Sequence, residues 1–212
     1  MLKKFLGKEK GITGLETAII LIAFVVVAAV FAYTVLSAGL FSTQQAQEAV
    51  YSGLKEAQSS LELKGAVTAS GNTVGAAGKV QQISFVVANV LGGEEMDFTP
   101  PSSGILGTAN GTAHRVIINY LDSSQEAINL YWTVNTLGTD DGDYLLEAGE
   151  KFQVTIGGPS NLVAPGNLLN ALATQQLTSN TSFTLTVVPP QGAILVIQRV
   201  TPAYIDICMN LR

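Results

Sequence analysis

The sequence predicts an α+β fold in which one long N-terminal α-helix precedes an antiparallel β-sandwich head. Residues 17–47 contain no charged side chain, and apolar residues continue to recur at helical spacing after them. In the C-terminal part, segments in which apolar and polar residues alternate are separated by turn residues. We therefore divide the chain into a leader at 1–11, a helix at 12–64, a linker at 65–79 and a head at 80–212.

Composition and charge exclude several classes of protein. The 212 residues carry a formal net charge of −5, which is not the basic balance of a nucleic-acid-binding protein. A single cysteine, Cys208, excludes an intrachain disulfide framework, and we interpret it as a small apolar residue of a terminal strand. Because the sequence has no nucleophile elbow, phosphate-binding loop or metal-binding motif, we predict a non-enzymatic protein that requires no cofactor.

The N-terminus has the charge pattern of an exported protein. Lys3, Lys4, Lys8 and Lys10 precede an apolar run that starts at Ile12. About 20 apolar residues cross a bilayer as a helix, and flanking lysines stay on the cytoplasmic side. The run is longer than the stretch of about 7–15 apolar residues in a Sec-type signal peptide. We therefore expect a membrane-inserted precursor with an exported C-terminal part.

The predicted helix continues beyond the thickness of a membrane. Val50, Leu54, Ala57 and Leu61 recur at spacings of four, three and four, and Gly65 is the predicted C-terminal stop. A helix from 12 to 64 is about 80 Å long, which no bilayer requires. This length fits a bundle of helices contributed by many subunits.

The stretch KEKGITGLETAIILIAFVVVAAVFAYTVLSAGLFSTQQAQEA at residues 8–49 resembles the N-terminus of archaellins, the subunits of the swimming filament of archaea. The Lys-Gly junction, the core GLETAIILIAFVVVAA and the exit LSAGLF carry the resemblance. It implies a type IV pilin-like helix with an Ig-like head. It also implies a class III leader peptide that a prepilin-type signal peptidase cleaves between Gly11 and Ile12.

The same resemblance implies a structural subunit of the archaellum that polymerises through its N-terminal helix into an extracellular helical filament for swimming motility. The implied partners are further copies of the chain, the signal peptidase, the membrane before assembly, and the motor and assembly platform of the archaellum. Two alternatives remain open. One is an adhesive pilus subunit of the type IV pilin kind, and the other is an exported binding domain that keeps its membrane anchor.

Glu16 is a carboxylate near the start of the apolar run, where an unpaired charge is costly. If the chain is cut after Gly11, the new α-amino group of Ile12 lies about one helical turn away, in the same subunit or a neighbouring one. We predict that this pairing sets the register of assembly. The favourable effect of a carboxylate near a helix N-terminus is the simpler explanation, and the two can coexist.

The head contains segments with strand character, separated by clusters of Gly, Pro, Asp and Ser. Residues 64–79 are rich in Gly, Ala, Ser and Thr without clear periodicity, which predicts a linker. The type of structure at 161–178 stays undecided between a short helix and a long loop. The predicted strands are 81–91, 115–121, 128–134, 152–156, 182–188 and 194–200.

Five carboxylates lie close together between two predicted strands, and two sequons follow the Asn-x-Ser/Thr pattern. The carboxylates fit either a solvated acidic turn or a structural Ca²⁺ or Mg²⁺ site, although their spacing is not that of an EF-hand. The sequons make Asn110 and Asn180 candidate N-glycosylation sites of an exported domain. The acidic residues are Asp140, Asp141, Asp143, Glu147 and Glu150.

Overall fold

The computed structural model describes residues 10–90, 94–105, 108–138, 141–156, 172 and 176–211, with side chains at all of these except 10–13 and 103–105. The chain divides into two compact units after Ser52. The first unit contains most of one long helix. The second contains the last turn of that helix and all of the β-structure, and we call it the head.

Helix α1 spans Lys10–Gln58, a length of 49 residues. The predicted long helix is confirmed, but its predicted end near residue 64 is wrong. The backbone N–H and the hydroxyl of Ser59 both donate to the carbonyl of Lys55, at 3.0 and 2.9 Å, and close the last turn. Leu61 already belongs to a strand and is buried in the head. The sequence allows this because Leu61 and Leu63 alternate with the charged residues Glu62 and Lys64 at the two-residue period of a strand.

Among the described residues thirteen strands follow the helix, and most of them form two antiparallel sheets. The five-stranded sheet has the order β13-β1-β2-β10-β8, and the four-stranded sheet has the order β12-β11-β6-β7. Two short ribbons pair β3 with β9 and β4 with β5. The strands are β1 Leu61–Thr73, β2 Lys79–Asn89, β3 Met96–Asp97, β4 Ser103–Ile105, β5 Thr108–Asn110, β6 Ile117–Asp122, β7 Glu126–Ala127, β8 Trp132–Leu137, β9 Leu145–Leu146, β10 Lys151–Ile156, β11 Ser182–Val188, β12 Leu195–Val200 and β13 Met209–Leu211.

The inner faces of the two sheets share one hydrophobic core, so the head is a β-sandwich. Phe98 packs edge-on against Trp132 and against Phe152, with ring centroids 6.0 and 5.9 Å apart. On the four-stranded sheet Tyr120 stacks on Phe183 at 5.7 Å. All five side chains are at most 1% exposed, so these aromatic rings form the centre of the core.

The predicted linker at 65–79 is wrong over most of its length, because β1 covers it to Thr73 and pairs with both β2 and β13. Val67, Ala69 and Gly71 alternate inward and are buried. A side chain at Gly71 would collide with Ile205 and with the backbone of Asp206. Small residues are therefore required here by close packing, which is why the segment lacks the large alternating side chains of an ordinary strand.

The remaining strand predictions differ in accuracy. The strand predicted at 182–188 coincides with β11, and those predicted at 81–91, 115–121, 152–156 and 194–200 lie within two residues of observed strands. The strand predicted at 128–134 is wrong in position, since β7 ends before it and β8 begins at Trp132. Positive φ at Asn129, 52°, marks the turn that separates these two strands.

Candidate functional site

From Thr17 to Phe41 the surface of α1 is uncharged and mostly apolar on all sides. Every large apolar side chain from Leu15 to Leu54 is more than half exposed, and Phe24 reaches 74%. By length and composition α1 is able to cross a membrane, because an 18-residue window within its described part, Gly14–Gln58, has a mean hydropathy of 2.9. A helix that is apolar all round is stable only when it is covered. The surface of α1 therefore requires lipid or protein around it.

Four hydroxyl side chains along α1 are hydrogen-bonded within the helix. The hydroxyls of Thr17, Thr34, Thr43 and Ser52 each donate to a backbone carbonyl three or four residues earlier, at 2.8 to 3.0 Å. A hydroxyl that is bonded in this way avoids most of the cost of transfer into an apolar environment. These residues are thus compatible with a water-free setting.

The predicted leader junction lies in the first turn of the described helix. The backbone is helical from Lys10 onward and so includes Gly11 and Ile12, whose side chains lie outside the described part. Glu16 is exposed, and four residues of helix advance about 6 Å from Ile12. This spacing is compatible with an ion pair between Glu16 and a new α-amino group, but cleavage and pairing remain predictions.

The last turn of α1 is fixed to the head by polar contacts. Lys55 forms an ion pair with Glu94 at 2.7 Å, and Glu56 accepts a hydrogen bond from the backbone N–H of Gly192 at 3.0 Å. Gly192 has a φ of 87°, and a side chain there would collide with the carbonyl of Ser59. Sequence reasoning missed this contact. Its signal is the glycine in the Pro-Pro-Gln-Gly turn after β11.

The described part of the acidic cluster forms a turn. The carboxylate of Asp143 accepts the N–H of Leu145 at 2.7 Å, and that of Glu150 accepts the N–H of Glu147 at 3.1 Å. Partial desolvation and the charge of Glu150 raise the pKa of Glu147. Among the described residues no three of His, Cys, Asp or Glu are arranged to hold a metal. Asp140 lies outside the described residues, and a Ca²⁺ or Mg²⁺ site at this turn remains a prediction.

Both candidate glycosylation residues are exposed. Asn110 ends β5, and its side chain accepts the N–H of Gly111 at 2.9 Å. Asn180 has a φ of 53° in the turn before β11, and its N–H donates to the carbonyl of Pro202. The two side chains are accessible to a modifying enzyme, and their glycosylation remains a prediction that mass spectrometry of the corresponding peptides tests.

Cys208 and His114 lie in surroundings that indicate structural roles. Cys208 is exposed immediately before β13, so the expectation that it lies within a terminal strand as an apolar residue is wrong by one position. The imidazole Nε2 of His114 lies 3.1 Å from the side-chain oxygen of Asn129. Asn129 in turn receives a hydrogen bond on its backbone carbonyl from Ala109. His114 thus contributes to fixing the loop before β8.

Comparison with known proteins gives concordant matches. The model of the family "Archaeal-type flagellin" matches residues 11–199. "Probable flagellin 1" of Archaeoglobus fulgidus is 36% identical over 211 residues, which is 98% of both chains. "Probable flagellin 1" of Aeropyrum pernix is 32% identical over 209 residues, 92% of this chain and 94% of that relative.

Two solved structures are similar to this chain. The archaeal flagellum of Methanospirillum hungatei strain JF1 matches with a TM-score of 0.56 and 27% identity, over 93% of this chain and 98% of that chain. The crystal structure of archaeal flagellin FlaB1 from Methanocaldococcus jannaschii matches with a TM-score of 0.51 over 71% of this chain and 95% of that chain. At 12% identity this second match supports the fold alone.

Proposed function

The chain belongs to the archaeal-type flagellin family and is a subunit of an archaellum filament, and from that premise we propose that it polymerises through α1 after removal of residues 1–11. The observation that carries this proposal is the exposed apolar surface of α1, which needs a cover on every side. The flagellin relatives give no support to an adhesive pilus or an anchored binding domain.

In this proposal the surface of α1 is covered twice, first by lipid and then by protein. The lysines of the leader hold the N-terminus at the cytoplasmic side while α1 spans the membrane. After a prepilin-type signal peptidase removes the leader, α1 leaves the lipid and packs against the α1 helices of other subunits. Such contacts are heterologous, so they propagate into an open helical filament.

The head remains outside the cell on the surface of the filament. Removal of residues 1–11, which contain four lysines and one glutamate, changes the formal net charge of the chain from −5 to −8. A strongly acidic exterior favours solubility. The sequence has no phosphate-binding-loop motif, and we infer that a separate motor and assembly platform supply the energy for export and rotation.

Replacement of Gly11 by valine tests the leader proposal. We expect the Gly11→Val chain to keep its leader, to remain in the membrane fraction and to form no filaments, whereas sequencing of wild-type filament subunits reads from Ile12. Gly14→Val is the matched control, since a side chain added at Gly14 meets no atom within 4 Å in the chain. Filaments built from chains with an intact leader would contradict the proposal.

Replacement of Glu16 by glutamine tests the register proposal separately. We expect the Glu16→Gln chain to be cleaved like the wild type but to give fewer and shorter filaments, because the ion pair with the new α-amino group is lost. Glu48→Gln is the control, since Glu48 is also an exposed carboxylate of α1. Normal filament numbers and lengths from Glu16→Gln would show that its charge does not set register.

A further inference from the structure

The outer face of the four-stranded sheet carries exposed apolar side chains. Val196 and Val200 of the edge strand β12 are 59% and 46% exposed, and Leu121 of β6 is 52% exposed. Ile117 and Ile194 are exposed at the other end of the same face. Large exposed apolar patches on a soluble domain mark sites of interaction.

The strand register shows that these side chains form one surface. Val188 of β11 lies directly opposite Ile117, Thr186 lies between Val196 and Asn119, and Thr184 lies between Gln198 and Leu121. These positions alternate with buried ones along each strand, so they all point outward. Each row of paired residues across these strands thus presents only uncharged side chains on the outer face.

Charge is confined to the border of this surface. No outward-facing position of β6, β11 or β12 in the described residues holds a charged side chain, and Glu126 lies opposite Leu121 on the short edge strand β7. We call the outer surface of β6, β11 and β12 the uncharged face.

The outer face of the five-stranded sheet has the opposite character. It carries the charged residues Glu62, Lys64 and Lys151. Between them, hydroxyl side chains form a cross-strand ladder in which Ser84 and Thr155 are hydrogen-bonded at 3.1 Å. The outer face of the five-stranded sheet thus carries charge at exposed positions, whereas the outer face of β6, β11 and β12 carries none.

The chemistry of a homopolymer indicates what covers the uncharged face. A filament places identical chains side by side, each with a formal charge of −8 once the leader is removed, so charged head surfaces repel one another. Contact between two heads is favourable where desolvated charges are absent and apolar area is buried.

The uncharged face is also close to the end of the assembly helix. Val188 and Ile194 flank the turn that contains Gly192, and the N–H of Gly192 donates to Glu56 in the last turn of α1. The uncharged face therefore begins next to the last turn of α1 within the head. We propose, resting on the proposed function, that the uncharged face binds a neighbouring subunit of the same filament and forms a head-to-head contact.

The double substitution Val196→Asp and Val200→Asp tests this contact. We expect these subunits to be processed and to unfold at the wild-type urea midpoint, since both side chains are exposed, but to form shorter filaments that dissociate at lower temperature. The control is Asn135→Asp with Leu137→Asp, which adds the same charge at exposed, outward positions of β8, an edge strand of the five-stranded sheet. Equal filament length and dissociation temperature for the two variants would overturn the proposal.

Accessibility of a cysteine gives a second test that does not depend on destabilisation. Cys208 is exposed and is first replaced by serine, and Val196→Cys is then introduced. We expect maleimide to label this cysteine in detergent-dissociated subunits and to lose access to it in filaments, whereas Asn135→Cys stays reactive in both.

If filaments form with the cysteine at position 196 fully reactive, the proposed head contact is wrong and assembly through α1 stands. If Gly11→Val chains build filaments with an intact leader, the proposed function itself fails, and that result is independent of the cysteine labelling.

Discussion

Helix α1 and the head cover their apolar side chains in different ways. Leu36 in α1 is 65% exposed, whereas Trp132 and Phe98 in the head are completely buried by residues of the same chain. Burial of apolar surface is the main stabilising contribution in both cases. The head obtains it by folding, and α1 obtains it only from surroundings supplied by lipid or by other subunits.

This difference teaches that the two regions respond to different experiments. A change in the core of the head alters the free energy of unfolding of each subunit, even when subunits are dissociated in detergent. A change on α1 alters assembly and leaves the unfolding of the dissociated head unchanged. The first of three substitutions tests this separation, and the other two measure smaller contributions within the head.

The largest effect is expected for Trp132→Ala. Trp132 is fully buried between the sheets and packs against Phe98, so its loss leaves a cavity and should destabilise the head by about 3–5 kcal/mol. Urea unfolding of detergent-dissociated subunits, followed by circular dichroism, measures this. Leu36→Ala on α1 should leave the same transition unchanged, and a shift of comparable size would break the separation between the two regions.

A smaller effect is expected for Gly192→Ala at the junction of α1 and the head. The positive φ costs about 1–2 kcal/mol for a residue with a side chain, and collision with the carbonyl of Ser59 adds about 1–3 kcal/mol. Gly138→Ala is the matched control, because Gly138 has a similar φ of 93° but open space around it. Equal losses of unfolding free energy would show that the contact with Ser59 is not tight.

The smallest effect concerns Asp122 at the end of β6. Desolvation acts to raise the pKa of its carboxyl, but hydrogen bonds from the hydroxyl and N–H of Ser124, from Tyr120 and from Gln125 outweigh it and lower the pKa to about 2. Burial, with the hydrogen bond to Asp122, raises the pKa of the Tyr120 hydroxyl. The network is therefore strongest with an ionised carboxylate.

Because the folded-state pKa lies below the ordinary value of 3.8, the stabilisation is present above about pH 4 and is lost as the pH falls towards 2. After allowance for solvent screening it amounts to about 1 kcal/mol. Asp122→Asn should lose this stabilisation at neutral pH, and its free energy of unfolding should depend less on pH between 4 and 2. These limits follow from the pKa of the carboxyl, about 3.8 in the unfolded chain and about 2 in the head. Asp206→Asn on an exposed loop is the control. Identical pH profiles for Asp122→Asn and the wild type would exclude a role for the ionised carboxylate.

Some features follow from the sequence because their causes are local. The long helix could be predicted because residues 17–47 are uncharged and mostly apolar, with four lysines clustered before them in residues 1–11. Strand β11 could be predicted within its observed limits because Phe183, Leu185 and Val187 alternate with polar residues. The family resemblance also lies in one continuous stretch, so the order of residues along the chain is enough to reveal it.

The tertiary structure decided the features that depend on neighbours distant in the chain. Strand β1 forms because it pairs with β2 and β13 and because Gly71 leaves room for the segment at 205–206. The inward positions of its second half hold Val67, Ala69 and Gly71, so no large side chain there predicts the strand. The end of α1 at Gln58 also depends on pairing, since Leu61 fits a helical spacing as well as a strand.

The uncharged face is the clearest case. The sequence Ile-Leu-Val-Ile at 194–197 is apolar on both strand faces, so its periodicity does not determine which side is buried. Only pairing with β11 directs Ile197 into the core and leaves Val196 outside. By itself the sequence determined that the protein has an assembly helix and an exported β-rich head, because apolar length and charge are summed along the chain. The faces of that head were decided by register, which is a property of contacts between strands.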